Sequence, residues 1–158
     1  EDTLSLHDAL PISRAKLFDT AAMFPALSEG GLLSGGGTFA MQAAEPASLL
    51  TSARAEGSFL VERGVLHGID LGQALRGLGS GGRTSYATLD GKFAYSHGKT
   101  QLRNVKMIDG IMTTTGSADI DADKAISSRF FVELKSNLIH ESRAVSMTGT
   151  LGAPQFSR

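Results

Sequence analysis

Residues 57–64 read Gly-Ser-Phe-Leu-Val-Glu-Arg-Gly, and residues 91–98 read Gly-Lys-Phe-Ala-Tyr-Ser-His-Gly. In each, the bulky residues stand two apart, Phe59 with Val61 and Phe93 with Tyr95. Successive side chains of a strand point to opposite faces, so this spacing makes one apolar face and one polar face. The same alternation returns in Phe130, Val132 and Leu134, and in Val145, Met147 and Leu151. Such segments predict an antiparallel sheet wetted on one side only. The closing glycines, Gly64 and Gly98, are predicted to form hairpin turns, where a positive φ is needed. An incomplete match, Gly37-Thr-Phe39, precedes both copies. Repeated hairpins build extended sheets. The fold class expected is therefore mainly β with a minor α component: an extended antiparallel sheet of hairpins carrying short helices.

The remaining segments are read around that sheet. Leu17, Ala21, Phe24 and Leu27 fall at helical spacing, which predicts an amphipathic helix over 14–27, ended or kinked by Pro25. The run 29–37 holds Gly30, Gly31, Gly35, Gly36 and Gly37 and is expected to break regular structure before a strand at 38–42. A short helix is predicted over 46–55, with Pro46 in its first turn. Another is predicted over 69–76, with Asp70 at its N-cap and Gly77 at its end, followed by a flexible Gly/Ser linker. Residues 3–13 resemble the translation of a short-read sequencing adapter. They are expected to be unstructured, and His7 and Asp8 receive no role. The first Met is Met23, which fits a piece of a longer protein. The divisions expected are 1–13 as that artefact, 14–35 as helix and Gly-rich linker, and 36–158 as the sheet region.

Composition removes several classes of function. The 15 Lys+Arg against 16 Asp+Glu leave a net charge of -1, without the basic excess that nucleic-acid binding requires. With 41% hydrophobic and 20% charged residues the chain is not a disordered polar tract. There are no Cys, so disulfides, thiolate catalysis and Cys-ligated zinc are excluded. No apolar run is long enough for a membrane-spanning helix.

The motifs that might carry chemistry fall short. Gly77, Gly79, Gly81 and Gly82 follow a predicted helix and precede a strand, the reverse of a dinucleotide-binding loop. Asp119, Asp121 and Asp123 have the opening spacing of a calcium loop, but Lys124 and Phe130 occupy the positions that need Gly and Glu. They are read as the polar side of a strand end and the start of a turn. His67, His97 and His140 are isolated; His140 with Glu141 is a weak acid/base pair. Ser80 stands one place too late for a nucleophile elbow. No catalytic residue, metal or cofactor is expected.

The apolar face itself has two readings. Short helices could cover it as an ordinary core, or it could stay open as a groove for acyl chains. Residues 57–71, the short helix after them, the Gly/Ser linker and residues 84–93 together resemble the C-terminal region of the AsmA family. Residues 116–121 and the closing Met-Thr-Gly-Thr-Leu-Gly-Ala-Pro at 147–154 are similar to the way that region ends. Likeness extends from about 36 to 154 and departs at Tyr86, where Phe is the common choice.

This resemblance implies that the antiparallel sheet is curved and forms the last part of a longer β-groove. It implies a periplasmic protein of Gram-negative bacteria, anchored to the inner membrane by an N-terminal helix outside this chain. It further implies a non-enzymatic role in outer-membrane biogenesis, with phospholipid bound or conducted along the apolar groove. The groove candidates are Phe59, Val61, Phe93, Tyr95, Val132, Leu134, Val145 and Met147. An alternative is a module that contacts other envelope proteins and assists outer-membrane protein assembly or localisation.

Overall fold

A computed structural model of the chain describes residues 5–19, 28–42, 52–76, 81–150 and 152–157. Its elements are β1 (Ser5–Asp19), β2 (Ser28–Glu29), β3 (Leu32–Gln42), β4 (Arg54–His67), α1 (Leu71–Arg76), β5 (Arg83–Ser96), β6 (Lys99–Asp109), β7 (Met112–Ile120), β8 (Ile126–Lys135), β9 (His140–Thr150) and β10 (Ala153–Ser157). All ten strands form one sheet in which β1, β3 and then β4 to β10 pair in chain order, while β2 adds to β4. Every strand pair is antiparallel. Chain-order pairing is what short hairpin connections produce, because each strand meets its neighbour at the smallest loop-closure cost. Strand twist then rolls the ribbon into a curled half-barrel, consistent with the extended, curved antiparallel sheet expected.

The alternation decides which residues face inward. Cross-strand register runs Leu33↔Val61↔Leu89↔Met107↔Thr114↔Val132, so these side chains share one face. Val61, Met107 and Val132 are buried there, and with Leu71, Leu75, Tyr86, Met112 and Val145 they form the core cluster. Burying each such side chain contributes about 1.5–3 kcal/mol. Lys92 and Arg103, paired across β5 and β6, lie on the opposite, outer face.

Two left-handed residues keep the inner face apolar where the simple period fails. Asn104 has φ 52 at a register shift between the Leu102 and Val105 pairings. That bulge brings Leu102, opposite Phe93, onto the same face as Val105 and Met107. Arg63 has φ 56, and beyond it the buried positions change phase, from Val61 to Gly64 in β4 and from Leu89 to Tyr86 in β5.

Several sequence expectations change. The break predicted at 29–37 is confined to its start, since β3 begins at Leu32 and runs through Gly35, Gly36 and Gly37. The helix predicted over 14–27 is replaced by β1 up to Asp19, and its remainder lies outside the described residues. β1 also takes up most of the stretch read as unstructured, starting at Ser5. The exposed edge of β3 explains both: unpaired N–H and C=O groups pair with any extended segment nearby. The match is imperfect, with register shifts between Leu6 and Leu10, Ile12 and Ala15, and Ala15 and Phe18. The helix predicted over 46–55 lies mostly outside the described residues, and its last positions, Arg54 and Ala55, open β4.

Gly98 makes its predicted turn, with His97 at φ 50 and Gly98 at φ 78 joining β5 to β6. Gly64 does not. It is buried inside β4, and the space its side chain would fill is taken by the Tyr86 ring. The chain leaves the sheet after His67, forms α1 and returns at Arg83, opposite His67. Asp70 caps α1 as expected, its Oδ1 accepting from the Gln73 amide at 2.9 Å.

Candidate functional site: the concave apolar face

The Gly-x-Phe repeats turn out to be partners. Register places Gly57 opposite Phe93 and Phe59 opposite Gly91, so each ring lies across from the other strand's glycine. A Cβ at Gly91 would stand 3.1 Å from the Phe59 ring. Gly116 opposite Phe130 repeats the device, with Phe130 Cδ1 2.6 Å from where a Cβ would sit. Aromatic rings laid over glycine make a smooth apolar floor and let the sheet curve tightly.

All of the groove candidates share this floor. Phe59 and Val61 on β4 align with Phe93 and Tyr95 on β5, through the pairings of Gly57 with Phe93 and Ala55 with Tyr95. Val132 and Leu134 on β8 align with Val145 and Met147 on β9, through Phe130↔Val145 and Ser128↔Met147. They divide by position along the groove. Val61, Val132 and Val145 are buried in the core cluster, and Phe59 and Leu134 pack partly buried against it. Met147 is also buried, opposite Phe156 of β10. Phe93 and Tyr95 are half-buried and lie outside the cluster, toward the end where β5 turns into β6.

That division is made by α1. It crosses the concave face from β4 and reaches β9, burying Leu71 and Leu75 at 4% and 6% exposure. One end of the groove is therefore filled by the chain's own side chains, while the other keeps aromatic surface within reach of solvent. The apolar face is thus covered as ordinary core over part of its length and left open over the rest. Leucines four apart, Leu71 and Leu75, are a legible signal for a helix that buries one face. Which strands that face would meet was not legible, because the contact joins segments far apart in the chain.

Two inner-face hydroxyls lack partners: Thr114 Oγ1 and Ser128 Oγ are buried and make no hydrogen bond. Thr114 lies between Met107 and Val132, and Ser128 between Ala118 and Met147. On the outer face, a shallow depression of about 530 Å³ lies near Thr38, Glu56, Ser58, Lys92 and Arg103. Arg103 is already engaged there, pairing with Asp119 at 2.7 Å and donating to the Leu102 and Ala118 carbonyls.

Gly77 and Gly79 of the glycine-rich motif lie outside the described residues, and several residues of the other motifs weighed in the sequence make local pairs. Asp119 and Asp121 bind Arg103 and Lys99, and Asp123 accepts from the Ala125 amide at 3.2 Å in the turn before β8. His140 pairs with Glu133 at 2.9 Å, across the β8–β9 ladder, rather than with Glu141. His67 and Arg83 both meet Glu29, which ties β2 to the end of the β4–β5 ladder. Ser80 lies outside the described residues. Among the described residues no cluster of His, Asp or Glu could hold a metal, and no helix is long and apolar enough to cross a membrane. No family model, curated protein or solved structure matches this chain.

Proposed function

We propose that this chain is the C-terminal part of a non-enzymatic, AsmA-like envelope protein, and that its concave face binds or conducts phospholipid by its acyl chains. In this reading the protein lies in the periplasm, held to the inner membrane by a helix outside this chain, and serves outer-membrane biogenesis. The observation that carries the reading is the inner face itself: apolar side chains aligned from β3 to β9, interrupted by glycines that seat aromatic rings, and left open at the Phe93 and Tyr95 end. Apolar surface of this kind in a soluble chain calls for a partner that removes it from water.

Titration with cis-parinaric acid tests it. The chain should bind the probe, and Phe93→Glu should weaken binding by tenfold or more, while Ala94→Glu on the outer face should leave it unchanged. Failure to bind, or equal losses for both variants, would count against the groove.

A second reading has its own support. Ile111, Leu138 and Ile139 are exposed at 50%, 95% and 46% on the turns that join β6 to β7 and β8 to β9. The amide of Lys135 donates to the Ile111 carbonyl at 2.9 Å, which holds these turns together as one apolar tip. Contact with another envelope protein would use such a tip. Photo-crosslinking from Leu138 and from Phe93 separates the two readings: polypeptide adducts at the tip favour the second, and lipid adducts at the groove favour the first.

A further inference from the structure

We infer that the closed end of the groove is a second acyl-chain subsite, which α1 fills with Leu71 and Leu75 until a ligand displaces it. The inference rests on the groove reading above and adds to it a binding site and a moving part. β4 and β5 are already paired as far as His67↔Arg83, so the excursion carrying α1 is not needed to join them. Its base is closed separately, by the Ile69↔Gly81 bridge and by the Gly68 amide donating to the Gly82 carbonyl at 2.9 Å. α1 can therefore leave the floor without opening the ladder. Both arms contain glycines in the left-handed region, Gly68 at φ 72 and Gly81 and Gly82 at φ 116 and 91, where backbone rotation is least restricted.

The hydrogen bonds that hold α1 are local to its first arm. The Leu71 amide donates to Thr84 Oγ1 at 3.0 Å, that hydroxyl donates to the Ile69 carbonyl at 2.6 Å, and Asp70 caps Gln73. Among the described side chains none joins α1 to β6, β7, β8 or β9. Across the floor the described side chains hold α1 by apolar contact, and branched aliphatic side chains against Met107, Met112, Val132 and Val145 present the chemistry of an acyl chain.

Thr114 supplies the independent indication of a ligand. Its side chain is 4% exposed on the floor and its hydroxyl has no partner. That donor is left orphaned, and an acyl ester or carboxyl oxygen would accept from it. Ser128, 8% exposed and likewise unpartnered, repeats the arrangement four residues along the paired strand, toward the open end.

The test combines hydrogen exchange with cis-parinaric acid binding. In the unmodified chain, saturating probe should speed exchange of the Leu75 and Arg76 amides by about tenfold or more, while the β6 to β8 amides stay protected. The double variant L71A/L75A, verified as folded by circular dichroism, should bind the probe about tenfold more tightly, because the competent state no longer competes with the plug. Thr114→Val should weaken binding about fivefold, the loss of one hydrogen bond. Probe binding with α1 still protected and no gain in L71A/L75A overturns the subsite and leaves the groove reading intact. Binding by L71A/L75A alone supports the plug but counts against the open groove beside Phe93 and Tyr95. Binding by neither chain overturns both.

Discussion

Glycine does different work at different positions of this chain, and the surroundings of each decide which. Gly98 turns the chain, whereas Gly91 and Gly116 leave room for the rings of Phe59 and Phe130. The consequences differ in size. At Gly91 a methyl group meets Phe59 ring atoms at 3.1 Å, which can yield by a few tenths of an ångström, and the Arg103 carbonyl at 3.3 Å, only slightly too close. At Gly116 it meets the Arg129 carbonyl as well as the Phe130 ring, and the backbone cannot yield. Gly116→Ala should cost about 2–3 kcal/mol and Gly91→Ala less than about 1 kcal/mol, as read by urea denaturation. Tyr86 gives a pH test. Burial raises its phenol above the usual 10.0, and a hydrogen bond with Ser28 works in the opposite direction. Below pH 10 the phenol is neutral in both states and its full contribution is present. Above it the unfolded phenol ionises first, so stability should fall as pH rises toward the folded value. Tyr86→Phe should flatten that alkaline decline in thermal melts taken between about pH 9 and 11. Thr114→Val should raise stability by about 1 kcal/mol, since it removes a buried hydroxyl with no partner.

Among elements, α1 stands apart from the strands. At six residues it is too short to persist alone, so its cap and its buried leucines must hold it. Asp70→Ala should therefore cost about 1 kcal/mol and loosen α1 before the sheet, which exchange of its amides against those of β7 would show. The strands were legible wherever one face alternates: β4, β5, β8 and β9 take up the segments predicted for them, apart from Leu151, which lies outside the described residues. Helical spacing beginning at Leu17 misled over 14–19, because periodicity describes one segment and β1 is set by the open edge of β3. Gly64 misled for a related reason. A glycine followed by more apolar sequence reads as a turn, and only the cross-strand ring of Tyr86 shows why the side chain must be absent.

Over the whole molecule, the sheet is a ribbon whose last strand, β10, pairs with β9 alone. Central strands carry the core cluster and are paired on both sides, so native-state hydrogen exchange should be slowest in β5 to β8 and faster in β10. Uniform protection across the sheet would contradict this. The sequence by itself determined the antiparallel, hairpin-ordered sheet and the apolar-face residues of its regularly alternating segments, because strand period and short connections are local properties. Tertiary structure alone decided how that face is used. Strand twist curls the ribbon so that α1, leaving after β4, meets β9, and the same apolar pattern becomes packed core under Leu71 and Leu75 and open groove beside Phe93 and Tyr95. Burial depends on what arrives from elsewhere in the chain, and residue spacing holds no information about that.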